Sequence, residues 1–597
     1  MCGIAALFRY GPKAPPVALD VLDKINQAMR RRGPDGSGSW ISEDGRVGLA
    51  HRRLAIIDPD ARADQPMTID QRYWITFNGE IYNFWALRLD LQSQGVIFRT
   101  ESDTEVLLRL YERDGAEMIG KLRGMFAFVI WDGIRRRLFM ARDAFGIKPL
   151  YISDNGDTVQ IASTVKGLKA GGEAGNGGPD PAGHVGFFLF GSVPEPHTLF
   201  SDIRALPAGH TLTIESDGRR CMEPYFDVRE VLAEPKPRNN DEQLDLRNLL
   251  LDSIQHHFVS DVPVGVFLSA GMDSASILAL ASESHRDELR SFTLGYDESA
   301  GTIHDEVPLA EEVAKYYATK QTTERITNLD FNDALADLMM SMDQPSIDGV
   351  NTYFVARAGA REGLKVALSG IGADELFGGY DTFRKVPKLT NSLSWIPGLS
   401  KIGRGFRIFS APFLNSKFTP KYASLFEYGG TTAGSYLLRR GLFMPWELPR
   451  IMDPDLAAAG WQSLQPLVKL ETPLEGLSGS ENHIRALETC FYLRNQLLRD
   501  ADWAGMAHSL EIRVPFVDVD LFKALSPFFG TDYSPTKKDM ADTPLSALPP
   551  GIQNKPKTGF FIPVEQWLKE TKHHVKEGKE TGMRGWAKEV YKVQTAV

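Results

Sequence analysis

The sequence predicts an α+β fold with much antiparallel sheet to about residue 210, followed by an α/β fold built on a parallel sheet. Three observations carry this expectation. The chain has 597 residues, more than one hydrophobic core organises, so two or more domains are expected. Short β-like runs at 48–50, 73–77, 126–131 and 138–141, separated by Gly, Asp and Asn turns, read as antiparallel strands. Beyond a proline-containing charged stretch at 234–238, a buried strand at 262–268, a small-residue loop and a helix from 275 form the first unit of a parallel sheet.

Each element has a local reason. Helical periodicity marks 19–29 and 103–111 in the first region and 244–258 after the charged stretch. Further strands are expected at 291–295 and 364–368. Residues 385–480, rich in Pro, Gly and Ser, show little beyond short helices, and the Lys/Glu-rich tail after Trp567 reads as a solvated helix. The expected division is a first domain at 2–210, a linker at 211–240, a second domain at 241–570 and a tail at 571–597.

Composition narrows the function. A net charge of −10 argues against a nucleic-acid partner. The three cysteines, Cys2, Cys221 and Cys490, have neither metal-ligand nor disulfide spacing. No run reaches the ~20 apolar residues that span a bilayer, and the N-terminus lacks the cationic stretch of a signal peptide. A cytoplasmic protein is expected, with neither membrane nor nucleic acid as partner; a homodimer is compatible with the sequence.

Cys2 follows the initiator Met. Removing Met1 leaves the thiol beside a free α-amine of pKa roughly 7.7–8.0, matched to accept a proton from a thiol of about 8.5. The neighbouring motifs give this weight: Cys2-Gly3-Ile4, Arg32-Gly33-Pro34-Asp35, His51-Arg52-Arg53-Leu54, Asn78-Gly79-Glu80-Ile81-Tyr82-Asn83, Ser102-Asp103-Thr104-Glu105 and Gly146-Ile147-Lys148-Pro149-Leu150. In this order they resemble the glutaminase domain of the glutamine-hydrolysing asparagine synthetases, N-terminal nucleophile amidotransferases whose fold is an antiparallel αββα sandwich. The resemblance implies Cys2 as nucleophile and Arg53 as partner of the glutamine carboxylate. Glu80 and Asp103 are implied at its ammonium, Asn78 and Gly79 at the oxyanion. A forked guanidinium suits a carboxylate, and glycine allows close backbone approach. His51 reads as structural.

In the second region Ser269-Ala270-Gly271-Met272-Asp273-Ser274 lies between a strand and a helix, where small residues and helix N–H groups can meet a phosphate. It lacks the Gly-Lys-Ser/Thr ending of a P-loop. It resembles instead the pyrophosphate loop of the ATP pyrophosphatases, although Ala270 stands where relatives usually have Gly. Residues 368–380, Leu368-Ser369-Gly370-Ile371-Gly372-Ala373-Asp374 onward, and 508–518, His508-Ser509-Leu510-Glu511-Ile512-Arg513 onward, resemble further segments of the same synthetase domain.

The likeness implies ATP at Leu268, Ser269, Gly271, Asp273, Ser274, Leu294, Ser369 and Gly370, and Mg²⁺ at Asp273 and Asp374. It places Lys557 at the α-phosphate. It implies adenylation of a carboxylate followed by its amidation, aspartate being the first expectation for the acceptor.

Ile371 departs from the family, which usually has Glu there; isoleucine neither pairs with an ammonium nor takes a proton. Either another carboxylate substitutes or the acceptor is a different acid, such as a sugar uronate in surface-polysaccharide synthesis. A third reading is a regulatory homologue without catalysis. Asp343, Gln344, Ser346 and Asp348 are acceptor-side residues that sequence leaves unassigned, as it does Thr164, where relatives often have Glu.

Overall fold

The computed structural model describes residues 2–234, 244–285, 289–410, 420–553, 555, 567 and 582–596. Two six-stranded antiparallel sheets build the first region. One runs in the order Ile203–Ala205, Tyr151–Asp154, Thr158–Ala162, Gly3–Arg9, Val47–Arg53, Gly36–Ile41. The other runs Arg220–Pro224, His210–Ile214, Arg137–Arg142, Gly124–Asp132, Tyr73–Ile81, Met67–Thr68.

Alternation along the strands sends Ile4, Ala6 and Phe8 of the first sheet against Val129, Trp131 and Met140 of the second, because successive side chains of a strand point to opposite faces. The outer face of the first sheet, Ala5 and Leu7, packs on Leu22 and Ile25 of helix Leu19–Ala28. The outer face of the second sheet, Phe77, Phe128 and Ile130, shares a core with Val106, Leu107 and Leu110 of helix Asp103–Asp114. Four layers result, the αββα sandwich expected.

The second region carries a five-stranded parallel sheet, Lys320–Ile326, Arg290–Tyr296, Val264–Phe267, Val366–Leu368, Glu511–Arg513. Helices such as Met272–Ser282 and Val350–Arg361 join its strands. Its central strand Val264–Phe267 leads straight into the small-residue loop.

Two boundaries differ from expectation. His210–Ile214 and Arg220–Pro224 hydrogen-bond into the second sheet, so residues 211–224 are structural strands and the linker begins later. The C-terminal helix Met583–Ala596 buries Trp586, Ala587 and Val590 in a core shared with Phe331 and Leu338; it is a packed element where a solvated one was expected. Its charged residues masked three apolar side chains on one face. Residues 382–410 form two full helices, Thr382–Leu393 and Leu399–Ser410.

Charged side chains bridge the two regions. Arg32 makes a two-pronged contact with Asp502 at 2.7 and 2.9 Å, both side chains being buried. Arg123 does the same with Asp518 at 2.8 and 3.0 Å. Breaking a buried pair leaves one charge without compensation, at a cost of roughly 3–5 kcal/mol. Asp502→Ala is therefore expected to destabilise the chain by about 3 kcal/mol, read as a lower urea midpoint; an unchanged midpoint would show that the bridge does not hold the two regions together.

Candidate functional site

Strand Gly3–Arg9 begins at Cys2, whose position is set on both sides of its backbone. The Cys2 N–H donates to Asn78 Oδ1 at 2.9 Å, and its carbonyl accepts from Arg32 Nε at 3.0 Å. The half-buried thiol lies 4.0 Å from the Leu54 carbonyl. Burial pushes this thiol above its ordinary value, and the Glu80 and Glu511 carboxylates add to the effect. A thiol so placed stays protonated without a base.

Asn78 is fully buried, and its Nδ2 has no hydrogen-bond partner among the described residues. An orphaned buried donor costs free energy, so it is noteworthy beside a candidate nucleophile. Gly79 sits at φ +153, where a Cβ would lie 2.1 Å from the Met125 carbonyl oxygen of the neighbouring strand. That close approach excludes every side chain.

Asp103 opens helix Asp103–Asp114 and accepts from the Ile81 N–H at 3.1 Å; burial raises its pKa to about 6. Glu80 is pushed well up by burial and then by Glu511. Arg513 Nη2 is 3.4 Å from Glu80, while Arg513 Nε donates to Glu511 at 2.7 Å. One guanidinium cannot answer two buried carboxylates equally, and its closer contact with Glu511 favours the charged form there more than at Glu80. Arg53 donates from Nη1 to Asp64 at 2.7 Å and to the Asp60 carbonyl at 2.9 Å, and from Nη2 to the Asp58 carbonyl. His51 is buried, bonded to the Phe77 carbonyl at 3.1 Å, and held neutral by burial with a pKa of about 3, which suits a structural residue.

The second cluster surrounds a cavity of about 330 Å³. Its walls include Leu268, Ser269, Asp273, Ser274, Leu294, Ser369, Gly370 and Asp374, every residue assigned by resemblance to ATP or Mg²⁺ except Gly271. Gly271 is the N-cap of helix Met272–Ser282 and is not on the wall. Ser274 Oγ accepts from the Ser269 N–H at 3.0 Å, folding the loop onto the helix start. The Ala270 methyl is buried in the hydrophobic core and does not line the cavity, so the departure from Gly leaves the cavity unnarrowed. Lys557 lies outside the described residues.

Asp273 and Asp374 converge on one cation. Lys537 Nζ donates to both oxygens of Asp273 at 2.7 and 2.6 Å and lies 2.5 Å from Asp374 Oδ1. Two carboxylates gathered around one positive centre fit a Mg²⁺ that takes its remaining ligands from phosphate and water. Lys537 escaped sequence reasoning. The capping box Thr536/Asp539 marks the start of its helix, but nothing local says that its side chain crosses to Asp273.

Ile371 lines the cavity and packs against the core. The cavity also has Asp348 and Asp500 on its wall. Burial and then Asp348 push Asp500 to about 8, although Ser346 Oγ and Trp503 Nε1 donate to it at 2.8 and 2.6 Å; burial likewise raises Asp348. Asp343 accepts from the Val165 and Lys166 N–H groups, and Gln344 donates to the Tyr151 hydroxyl. Both residues thus serve the contact between regions, and Ser346 supports Asp500. Thr164 N-caps helix Val165–Ala170 through the Gly167 N–H, a role that needs no carboxylate.

Residues 1–226 match the glutamine amidotransferase domain family, and residues 245–582 match the asparagine synthase family. The chain belongs to the asparagine synthase family. Asparagine synthetase [glutamine-hydrolyzing] 1 of Bacillus subtilis (strain 168) is 34% identical, covering 95% of this chain and 88% of that protein. A putative asparagine synthetase [glutamine-hydrolyzing] of Mycobacterium tuberculosis (strain ATCC 25618 / H37Rv) is 33% identical over the same shares, 95% and 88%. A glutamine phosphoribosylpyrophosphate amidotransferase from B. subtilis aligns in structure at 17% identity over 54% of this chain and 65% of that one, with a TM-score of 0.30, too low to bear on the site.

Gly79→Ala tests the tightest point of the first cluster. The clash with the Met125 carbonyl adds to backbone strain of roughly 1–3 kcal/mol, so a loss of at least about 2 kcal/mol is expected in denaturant unfolding. Wild-type stability in this variant would mean that the strands are not so close.

Proposed function

We propose that the chain couples glutamine hydrolysis at Cys2 to ATP-driven amide formation in the cavity of the second region. The observation that carries this reading is the buried, orphaned Asn78 Nδ2 on the same amide whose Oδ1 holds Cys2. Once Met1 is removed, the Cys2 α-amine takes the thiol proton and the sulfur attacks the glutamine side-chain carbonyl. Asn78 Nδ2 and the Gly79 N–H receive the oxyanion, Arg53 takes the substrate carboxylate, and Asp103 and Glu80 take its ammonium. The C–N bond breaks with return of the proton, ammonia leaves, and water releases glutamate from the thioester.

In the cavity, Ser269, Ser274, Ser369 and the helix start hold the ATP phosphates, with Leu268 and Leu294 against the nucleoside. Asp273 and Asp374 hold Mg²⁺, which neutralises phosphate charge when bound. The acceptor carboxylate attacks the α-phosphorus, diphosphate leaves, and ammonia displaces AMP from the acyl-adenylate. Lys557 is assigned to the α-phosphate by resemblance alone. The first region is assigned to 2–224 and the synthetase region to 245–582, with homodimerisation left to measurement.

The preferred acceptor is aspartate, the product asparagine. Asp348 and Asp500 offer beside the reacting centre the negative charge that Ile371 withholds. Ile371 itself favours the second reading, amidation of a different acid such as a sugar uronate; a pyrophosphate-release screen with aspartate and uronates separates the two. A purely regulatory role is removed by any glutamine turnover.

Cys2→Ala is expected to abolish glutamate formation, and Asn78→Ala to lower kcat by about 10²–10³ with folding retained; near-normal turnover in Asn78→Ala would remove the oxyanion assignment. The acceptor site titrates separately. With Asp500 near 8, an ammonium-bearing acceptor meets an ionised partner above that pH and a neutral one below it. KM for aspartate is therefore expected to fall as pH rises through 8, and Asp500→Asn to flatten the profile; a pH-independent KM in the parent enzyme would rule out this partner.

A further inference from the structure

Residues 382–410 contain Arg384, Lys385, Lys388, Lys401, Arg404 and Arg407 and no acidic residue, in a chain whose net charge is −10. They form two helices, Thr382–Leu393 and Leu399–Ser410, interrupted at Pro397-Gly398. The first starts two residues beyond Tyr380, which stands on the wall of the ATP cavity.

Among the described residues the second helix is fastened along one side. Leu399 and Gly403 are its buried residues. A Cβ at Gly403 would lie 2.2 Å from the Glu427 backbone nitrogen, so the helix is pressed against the chain there. Phe406 meets Phe426 edge-on, ring centroids 5.3 Å apart, and Arg407 pairs with Glu427.

The remaining surface is apolar and cationic at once. Ile402 and Phe409, two turns apart on one face, are 64% and 75% exposed, and Trp395 just before the helix is 75% exposed. Ile408 and Tyr422 are exposed as well. Arg384 and Lys385 are answered by Asp381. Lys388, Lys401 and Arg404 are exposed and have no ion-pair partner among the described residues.

Scattered exposed apolar residues are ordinary, but a contiguous group marks an interaction site. A nucleic acid would reward the cations and leave Ile402 and Trp395 idle, while an apolar protein groove would reward these and leave the cations unanswered. Anionic headgroups above acyl chains satisfy both, which is the chemistry of an interfacial amphipathic helix. We propose that the Trp395–Phe409 face is a docking surface for anionic phospholipid membranes, with Ile402 and Trp395 entering the headgroup boundary and Lys388, Lys401 and Arg404 facing the phosphates. This surface is independent of the acceptor's identity, and helix Thr382–Leu393 lies between it and Tyr380 on the wall of the ATP cavity.

The test is flotation of the full-length protein with phosphatidylcholine vesicles, with and without phosphatidylglycerol, at rising NaCl. Binding is expected only to the anionic vesicles and is expected to fall with salt. Lys401→Glu/Arg404→Glu should weaken it more than tenfold, at about fivefold for each cation removed. Trp395→Ala/Ile402→Asp should weaken it by about tenfold, with glutaminase rate and melting temperature unchanged in both variants. Three results would overturn the proposal: no flotation with anionic vesicles, loss on charge reversal without loss in the apolar variant (a soluble polyanion site), or self-association in sedimentation velocity that Ile402→Asp abolishes (a second copy on this face).

Discussion

The arrangement of the candidate nucleophile depends on one buried guanidinium. Arg32 holds the Cys2 carbonyl with Nε and the Asp502 carboxylate with its fork. A planar group with fixed donor directions can serve two acceptors in a set geometry, which a lysine ammonium on a flexible stem cannot. Asp502 belongs to helix Arg499–Met506, and two residues earlier the same helix places Asp500 on the wall of the second region's cavity. One helix end thus positions a carboxylate in the synthetase cavity and, through Arg32, the first strand of the glutaminase sandwich. It follows a π-helical stretch, Glu488–Leu498, a form that recurs near functional sites.

The same seam carries a second polar contact with a different logic. Strand Glu511–Arg513 closes the edge of the parallel sheet, and Arg513 lies between Glu511 and Glu80. Lys148 stands 4.0 Å from Glu511, fully buried, and burial lowers its pKa. A cluster so dry is poor evidence for stability, because desolvation offsets much of its attraction. It does link the protonation of Glu80, which follows Asn78 and Gly79 on their strand, to residues of the second region, so the two regions share an electrostatic environment as well as a surface.

Much of this was legible in the sequence for definable reasons. Short β-like runs bounded by turns marked sheet strands such as Tyr73–Ile81 and Gly124–Asp132, and the strand–loop–helix at 264–282 announced the second region's cavity. The linker was misplaced because Arg220–Pro224 is exposed at every residue, so it resembles a loop although its backbone is paired. Trp586 was missed because charged neighbours dilute a narrow apolar face. Ala270 stood out as a departure, yet which way its methyl points is a tertiary fact, and it points into the core. Lys537 and Arg32 act over 264 and 470 residues of sequence separation, beyond any local pattern.

Ile371 shows how such a cavity redistributes charge. A carboxylate on the loop at that position would stand close to Asp374 and Glu375, and Glu375 is already forced to about 8 by burial and by Asp374. An apolar side chain there leaves the loop with one like charge fewer beside Asp374. The negative partners of the cavity then lie on its other walls, at Asp348 and Asp500, where Ser346, Trp503 and the Gly349 N–H brace them. In the proposed reaction a substituent of the acceptor that needs a carboxylate is met from the Asp348–Asp500 side of the cavity. The cavity thus keeps carboxylates at Asp348 and Asp500 although position 371 offers none.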